Sequence, residues 1–120
     1  MQMGSYALDV NALAAEGGGG WAGMPTGSTV GHVHMQVGAI PEAEEFAASI
    51  GAALTHRYPG ASFFGWNGYH HHIGANIWNS RGAGPRSYPS TGLAEVEILG
   101  MPEVRNLEDP WRTRFVLRRG

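Results

Sequence analysis

Cysteine and lysine are both absent from this chain of 120 residues. Without cysteine there is no disulfide framework, no thiolate nucleophile and no cysteine-type zinc or iron–sulfur centre, so any metal must be held by histidine, carboxylate or water. Without lysine, Schiff-base chemistry is excluded and arginine is the only permanent side-chain cation. Charge of either sign is sparse, with 8 basic and 10 acidic residues and a net charge of −2. A nucleic-acid partner would need a basic field that this balance does not supply. The small cluster Arg112, Arg114, Arg118 and Arg119 reads as a solvated end. No stretch approaches the roughly 18 apolar residues of a membrane span, and the N-terminus lacks the charged and apolar regions of a signal peptide. No membrane partner and a cytoplasmic location are therefore expected.

What is present is ordinary apolar content, 42% hydrophobic, in a length that fits one domain of the common size of about 100–150 residues. Glycine, at 19 residues, is more than twice its usual share of about 7%, which predicts many tight turns and short strands. Residues 1–16 carry a weak helical pattern, with Leu8, Ala12 and Ala15 on one side, ended by Gly17 to Gly20. Trp21, Met24 and Pro25 follow as a segment expected to drape over something apolar. Residues 1–28 thus read as a linker-like N-terminal segment.

Residues 30–37 alternate, with Val33, Met35 and Val37 on one face and His32, His34 and Gln36 on the other. Such a polar face without Thr, Lys or Glu reads as a cavity wall, the alternative being a plain solvated face. Residues 41–52 predict a helix: proline opens it, Glu42, Glu44 and Glu45 sit near the positive end of its dipole, and Gly51 stops it. Ala39, at the N-cap position, has no side chain to cap with. The stripe Ala43, Phe46, Ala47 and Ile50 should cover the Val33, Met35 and Val37 face. Strands at residues 53–58 and 61–66 follow, parted by Pro59-Gly60, and Asn67-Gly68 marks the next hairpin.

The stretch from Gly68 to Trp78 holds three consecutive histidines, His70, His71 and His72. If residues 69–78 are one strand, His70, His72 and Asn76 share a face, while His71 points the other way with Ile73 and Ile77. Metal binding and an unliganded polar edge are both open on these residues alone. Residues 79–91 read as a loop long enough to cross an open face. Residues 92–98 alternate again, Leu93, Glu95 and Glu97 against Ala94, Val96 and Ile98. A tight reversal is expected over residues 99–106, then a turn at Glu108-Asp109-Pro110-Trp111 and a last strand at residues 113–117.

The strand–helix–three-strand order, the blocks Gly31-His32-Val33-His34-Met35-Gln36-Val37 and Gly68-Tyr69-His70-His71-His72-Ile73-Gly74, and the closing Asp109-Pro110-Trp111 together resemble the vicinal oxygen chelate superfamily. The likeness is greatest to the C-terminal domain of catechol 2,3-dioxygenase-like proteins, over residues 29–117. It implies an α+β fold of βαβββ modules, here a domain at residues 29–120 with its second module shortened and its cup completed by a homodimer. It implies a divalent metal, Fe(II) first, with Mn(II), Zn or Ni as alternatives. His32 and His72 fall on metal positions, with Glu95 as the third candidate. His34, His70 and Tyr69 are then candidates for acid–base work, and Gln36, Asn76, Trp66 and Trp78 for contact with a catechol-like aromatic.

Leu93 and Val116 stand where the superfamily's second module supplies ligands. Two functions follow. One is an oxidoreductase, an extradiol dioxygenase in complete, fragmentary or degenerate form. The other is a metal-free small-molecule binding protein of the bleomycin-resistance type, to which an uncharged pocket wall is suited. A glyoxalase-like lyase would need carboxylates where His72 and Val116 stand.

Overall fold

The computed structural model describes residues 6–120, so the start of the predicted first helix lies outside the described residues. The part within them, α1 (Val10–Glu16), is capped by Asp9, whose carboxylate accepts from the Ala12 amide at 2.9 Å. It buries no side chain. Trp21 and Met24, expected to cover an apolar surface, are exposed instead, at 78% and 69%.

β1 (Val33–Gln36) opens a four-stranded sheet. α2 (Ile40–Ser49) follows, with proline in its first turn and no side-chain cap from Ala39, as its sequence predicts. Gly51 stops it at φ 85°, a left-handed conformation that glycine adopts without a Cβ penalty. β2 (Ala53–Tyr58) and β3 (Ala61–Gly65) form the antiparallel hairpin across Pro59-Gly60, and β4 (Ile73–Asn76) returns between β3 and β1. The strand order is β1-β4-β3-β2, with β1 and β4 parallel and Val33 opposite Ile73. This is a βαβββ unit, since the crossover through α2 is what allows a parallel pair.

The predicted fourth strand is much shorter than its apolar run. Asn67 and Gly68 take the positive φ values, 55° and 76°, that a tight hairpin turn requires. Yet the ladder begins only at Ile73, and residues 69–72 fold over the end of β3. Gly65 makes that possible: a Cβ there would stand 2.7 Å from the Tyr69 carbonyl oxygen and 3.5 Å from the His71 Cα.

A second sheet holds β5 (Glu95–Ile98), β6 (Arg105–Glu108) and β7 (Arg114–Leu117) in the order β5-β7-β6, with β5 and β7 parallel. β6 is a strand that its polar residues, Arg-Asn-Leu-Glu, give no alternation to reveal. The two sheets and α2 share one core, in which Val37, Ala47, Ile50, Phe64 and Ile73 pack with Val96, Phe115 and Leu117. Phe46 of α2 meets Phe115 with ring centres 4.9 Å apart. Both sheets are mixed and the fold is α+β, as expected.

The loop at residues 79–91 lies against both sheets. It fastens the two sheets together: Ser80 donates to the Val37 carbonyl at 2.7 Å, the Trp111 indole donates to the Ala83 carbonyl at 2.9 Å, and Arg86 donates to Thr113 Oγ1 at 2.7 Å. Asp109, buried in the turn before β7, accepts from the Trp111 and Thr113 amides at 2.9 and 2.8 Å. No helix among the described residues is long and apolar enough to cross a membrane.

Candidate functional site: a histidine cluster on the first sheet

Strand alternation divides the first sheet sharply. Val33, Met35, Ile73 and Ala75 face the core, and His34, Gln36, Gly74 and Asn76 lie on the other side, with β1 and β4 in direct register. Gly74 leaves the floor there open. A Cβ at Gly74 would come within 3.2 Å of His34 Cδ2 and of Phe63 Cε1, so its absence lets the His34 ring approach β4 closely beside Phe63.

On this face the structure gathers His32, His34 and His71, whose ligand nitrogens all lie within 4.8 Å of one another. His34 Nε2 and His71 Nε2 are 3.3 Å apart, and His71 Nδ1 is 2.9 Å from His70 Nδ1. The rings of His32 and His71 are centred 4.6 Å apart, and Phe63 meets His71 edge-on at 5.0 Å. His32 and His34 are exposed, whereas His71 is buried, at 7%. Burial, followed by repulsion from His32, His70, His34 and His72, lowers the His71 pKa to about 4. Burial first and His32 second also lower that of His34. His71 is therefore neutral at physiological pH, with a lone pair available.

This corrects the alternation argument applied to the histidine triplet. His71 does not share a face with Ile73 and Ile77 but lies on the His34 side, against Phe63. The pleat that would have sent it away does not extend N-terminal of Ile73. His72 is not part of the three-histidine group. Its ring stacks between Tyr69, at 4.4 Å, and Trp66, at 5.6 Å, and its Nδ1 accepts from the Trp66 amide at 3.3 Å. It does share with His32 the wall of a cleft of about 660 Å³, which Trp66, Ile50, Val96 and Ile98 also line.

The remaining expected residues scatter. Glu95 stands on the second sheet, exposed, with its carboxylate 3.8 Å from Arg114. Gln36 is exposed opposite Asn76, whose Oδ1 accepts from the Trp78 amide at 3.3 Å. Trp78 donates its indole N–H to the Pro59 carbonyl and is half-exposed. The Trp66 indole nitrogen is buried without a partner among the described residues. Tyr69 stacks on His70 with ring centres 4.1 Å apart. Leu93 is exposed, and Val116 is buried, at 3%, between Arg114 of β7 and Arg118 just beyond that strand, which pair with Glu95 and Glu97 on β5. The residue that alternation missed, His71, could have been found from Gly65 and the Asn-Gly turn, which together mark a chain that folds back before it resumes a strand.

The donor set fits a divalent metal. Three imidazoles suit Zn, Cu, Fe or Ni, and three protein ligands leave open positions. Nitrogens bound at about 2.1 Å to a tetrahedral ion stand about 3.4 Å apart, close to the 3.3 Å between His34 and His71. The exposed rings of His32 and His34 can rotate to close the wider gaps. A site of two histidines and a carboxylate is not what the described residues assemble, because Glu95 lies on the other sheet.

No protein family's model matches this chain, and no solved structure matches it. A curated protein does. Catechol-2,3-dioxygenase of Bacillus subtilis is 36% identical over 110 residues, covering 88% of this chain. The chain is similar to a catechol dioxygenase. It spans 38% of that relative's length. The similarity supports a vicinal oxygen chelate-type relationship, in keeping with the βαβββ unit and with three histidines that could hold a metal.

Proposed function

We propose that this chain is the metal-holding part of an extradiol-type dioxygenase, with His32, His34 and His71 as the ligands and a catechol-like aromatic as the substrate. The gathering of those three imidazoles on one sheet face carries the reading, and the similarity to a catechol dioxygenase supports it. A bound divalent metal, Fe(II) first, would supply open positions for two vicinal oxygens and for dioxygen, with electron transfer between them.

The chain's own residues do the rest. His71, kept neutral by burial, presents a lone pair without a competing proton. Phe63 closes the inner side of the cluster, edge-on to both His34 and the buried His71. The cleft that His32 and His72 line gives room for a ring to rest against Trp66. Of the residues expected to move protons, His34 is drawn into the metal group and His70 is engaged with His71, which leaves Tyr69. The histidine face is open, so a second copy or further chain closing over it completes the enclosure. A homodimer is the form proposed, and light scattering on the purified chain tests it.

The activity test uses protein reconstituted with freshly reduced Fe(II) and several catechols, followed by the yellow absorbance of ring-cleavage products. Appearance of product that depends on iron supports the reading. No product across the set, together with no bound metal by elemental analysis, refutes it.

A second reading, metal-free binding of an aromatic ligand, is favoured by one observation: the cleft wall of Ile50, Val96, Ile98 and Met101 is apolar and adjoins Trp66. Ligand affinity unchanged by chelators and by His71→Ala would support it over the dioxygenase.

A further inference from the structure

His71 has contacts at both ring nitrogens, and a neutral imidazole can donate at only one of them. Nε2 faces His34 Nε2 at 3.3 Å, and Nδ1 meets His70 Nδ1 at 2.9 Å. The shorter contact has the length of a good N–H···N hydrogen bond, so a proton lies between the two Nδ1 atoms. Its owner decides what His71 can do. If His70 donates, His71 carries its own proton on Nε2, pointed at His34, and cannot offer that nitrogen to a metal. If His71 donates, its Nε2 lone pair is turned into the cluster.

We propose that His70 is a positioning residue that sets the tautomer of His71, accepting its Nδ1–H and thereby freeing Nε2 to bind a metal with His32 and His34. His70 is suited to the part. It is half-buried, so its own Nε2–H can be satisfied by water while Nδ1 accepts. The stacked Tyr69 ring, 4.1 Å away, holds the imidazole plane on its outer side. Thr55 Oγ1, at the bulge in β2, donates to the His70 carbonyl and pins the backbone beneath it. Ligating histidines commonly donate their second N–H to a fixed acceptor, and loss of that acceptor weakens metal affinity about 10–100-fold. Here the acceptor is the preceding residue. The inference rests on the reading of His71 as a ligand through Nε2.

Two measurements test it. Long-range 1H–15N correlation spectra of metal-free protein with labelled histidine, at about pH 7.5, should show His71 protonated on Nδ1 and bare on Nε2. A proton on Nε2 overturns the proposal. Titration with Co(II), read from its visible absorption, then compares variants. His70→Phe keeps a ring against Tyr69 but has no acceptor, and should weaken binding about 10–100-fold. His70→Asn places a carbonyl oxygen near the lost Nδ1 and should restore affinity to within about threefold of the parent. Equal affinity in His70→Phe and the parent, or equal loss in both variants, overturns it. If the parent protein binds no Co(II), the metal reading fails by itself, and the spectra of the metal-free protein still decide the tautomer.

Discussion

Acid should weaken this fold chiefly through His71. Unfolded, its imidazole titrates near the ordinary 6.5; folded, burial and four neighbouring histidines bring it to about 4. Between those values the unfolded chain holds more protons than the folded one, so stability falls as pH is lowered through that window and is flat above it. A gap of roughly 2.5 units at about 1.4 kcal/mol each caps the loss at about 3 kcal/mol, of which about 2 kcal/mol is lost by about pH 5. His34, also lowered, adds in the same direction. Asp109, raised by burial, acts in the opposite sense, since its folded form takes up a proton more readily. Urea unfolding of the parent and of His71→Leu at several pH values from about 7.5 to about 5 separates these contributions. The parent should lose about 2 kcal/mol more than the variant over that range. Parallel curves would show that His71 is not held neutral by the fold, and the argument from its lone pair would fail with it.

Two substitutions test the packing that shapes the site. Gly74→Ala puts a methyl about 3.2 Å from His34 and Phe63, and the exposed His34 ring is what must give. Stability should fall by less than about 1 kcal/mol, while Co(II) affinity drops at least about tenfold, as titration and thermal melting would show. Asp109→Ala removes the acceptor of two buried amides, those of Trp111 and Thr113, and should cost about 3 kcal/mol in urea unfolding. Asp109→Asn, which keeps an acceptor oxygen, should lose less than half of that.

Much of the fold was legible because its signals are local. Alternation in β1 separated the Val33 face from the His34 face, proline and Gly51 bounded α2, and Pro59-Gly60 closed the first hairpin, all as the structure has them. The second sheet was half legible. β5 alternates and β7 is a short apolar run, but β6 has neither signal, because Arg105 and Asn106 are exposed and only Leu107 leans toward the core. At the site, His32 and His34 could be assigned to one wall from the strand period alone. His71 could not, because the period holds only inside a ladder, and this one starts two residues later. What positions His71 is a fold-back over Gly65, a contact between residues whose juxtaposition no period encodes. The face of Glu95 on β5 was read correctly, but that sheet turns the face toward Arg114 and away from the three histidines.

The central claim is that His71, with His32 and His34, forms the metal site. Elemental analysis of untagged protein equilibrated with Fe(II) or Co(II), run beside His71→Ala and His72→Ala, tests it most directly. About one metal per chain is expected in the parent and in His72→Ala, and almost none in His71→Ala. Full occupancy in His71→Ala with loss in His72→Ala would contradict it and return the site to the residue that strand alternation first selected.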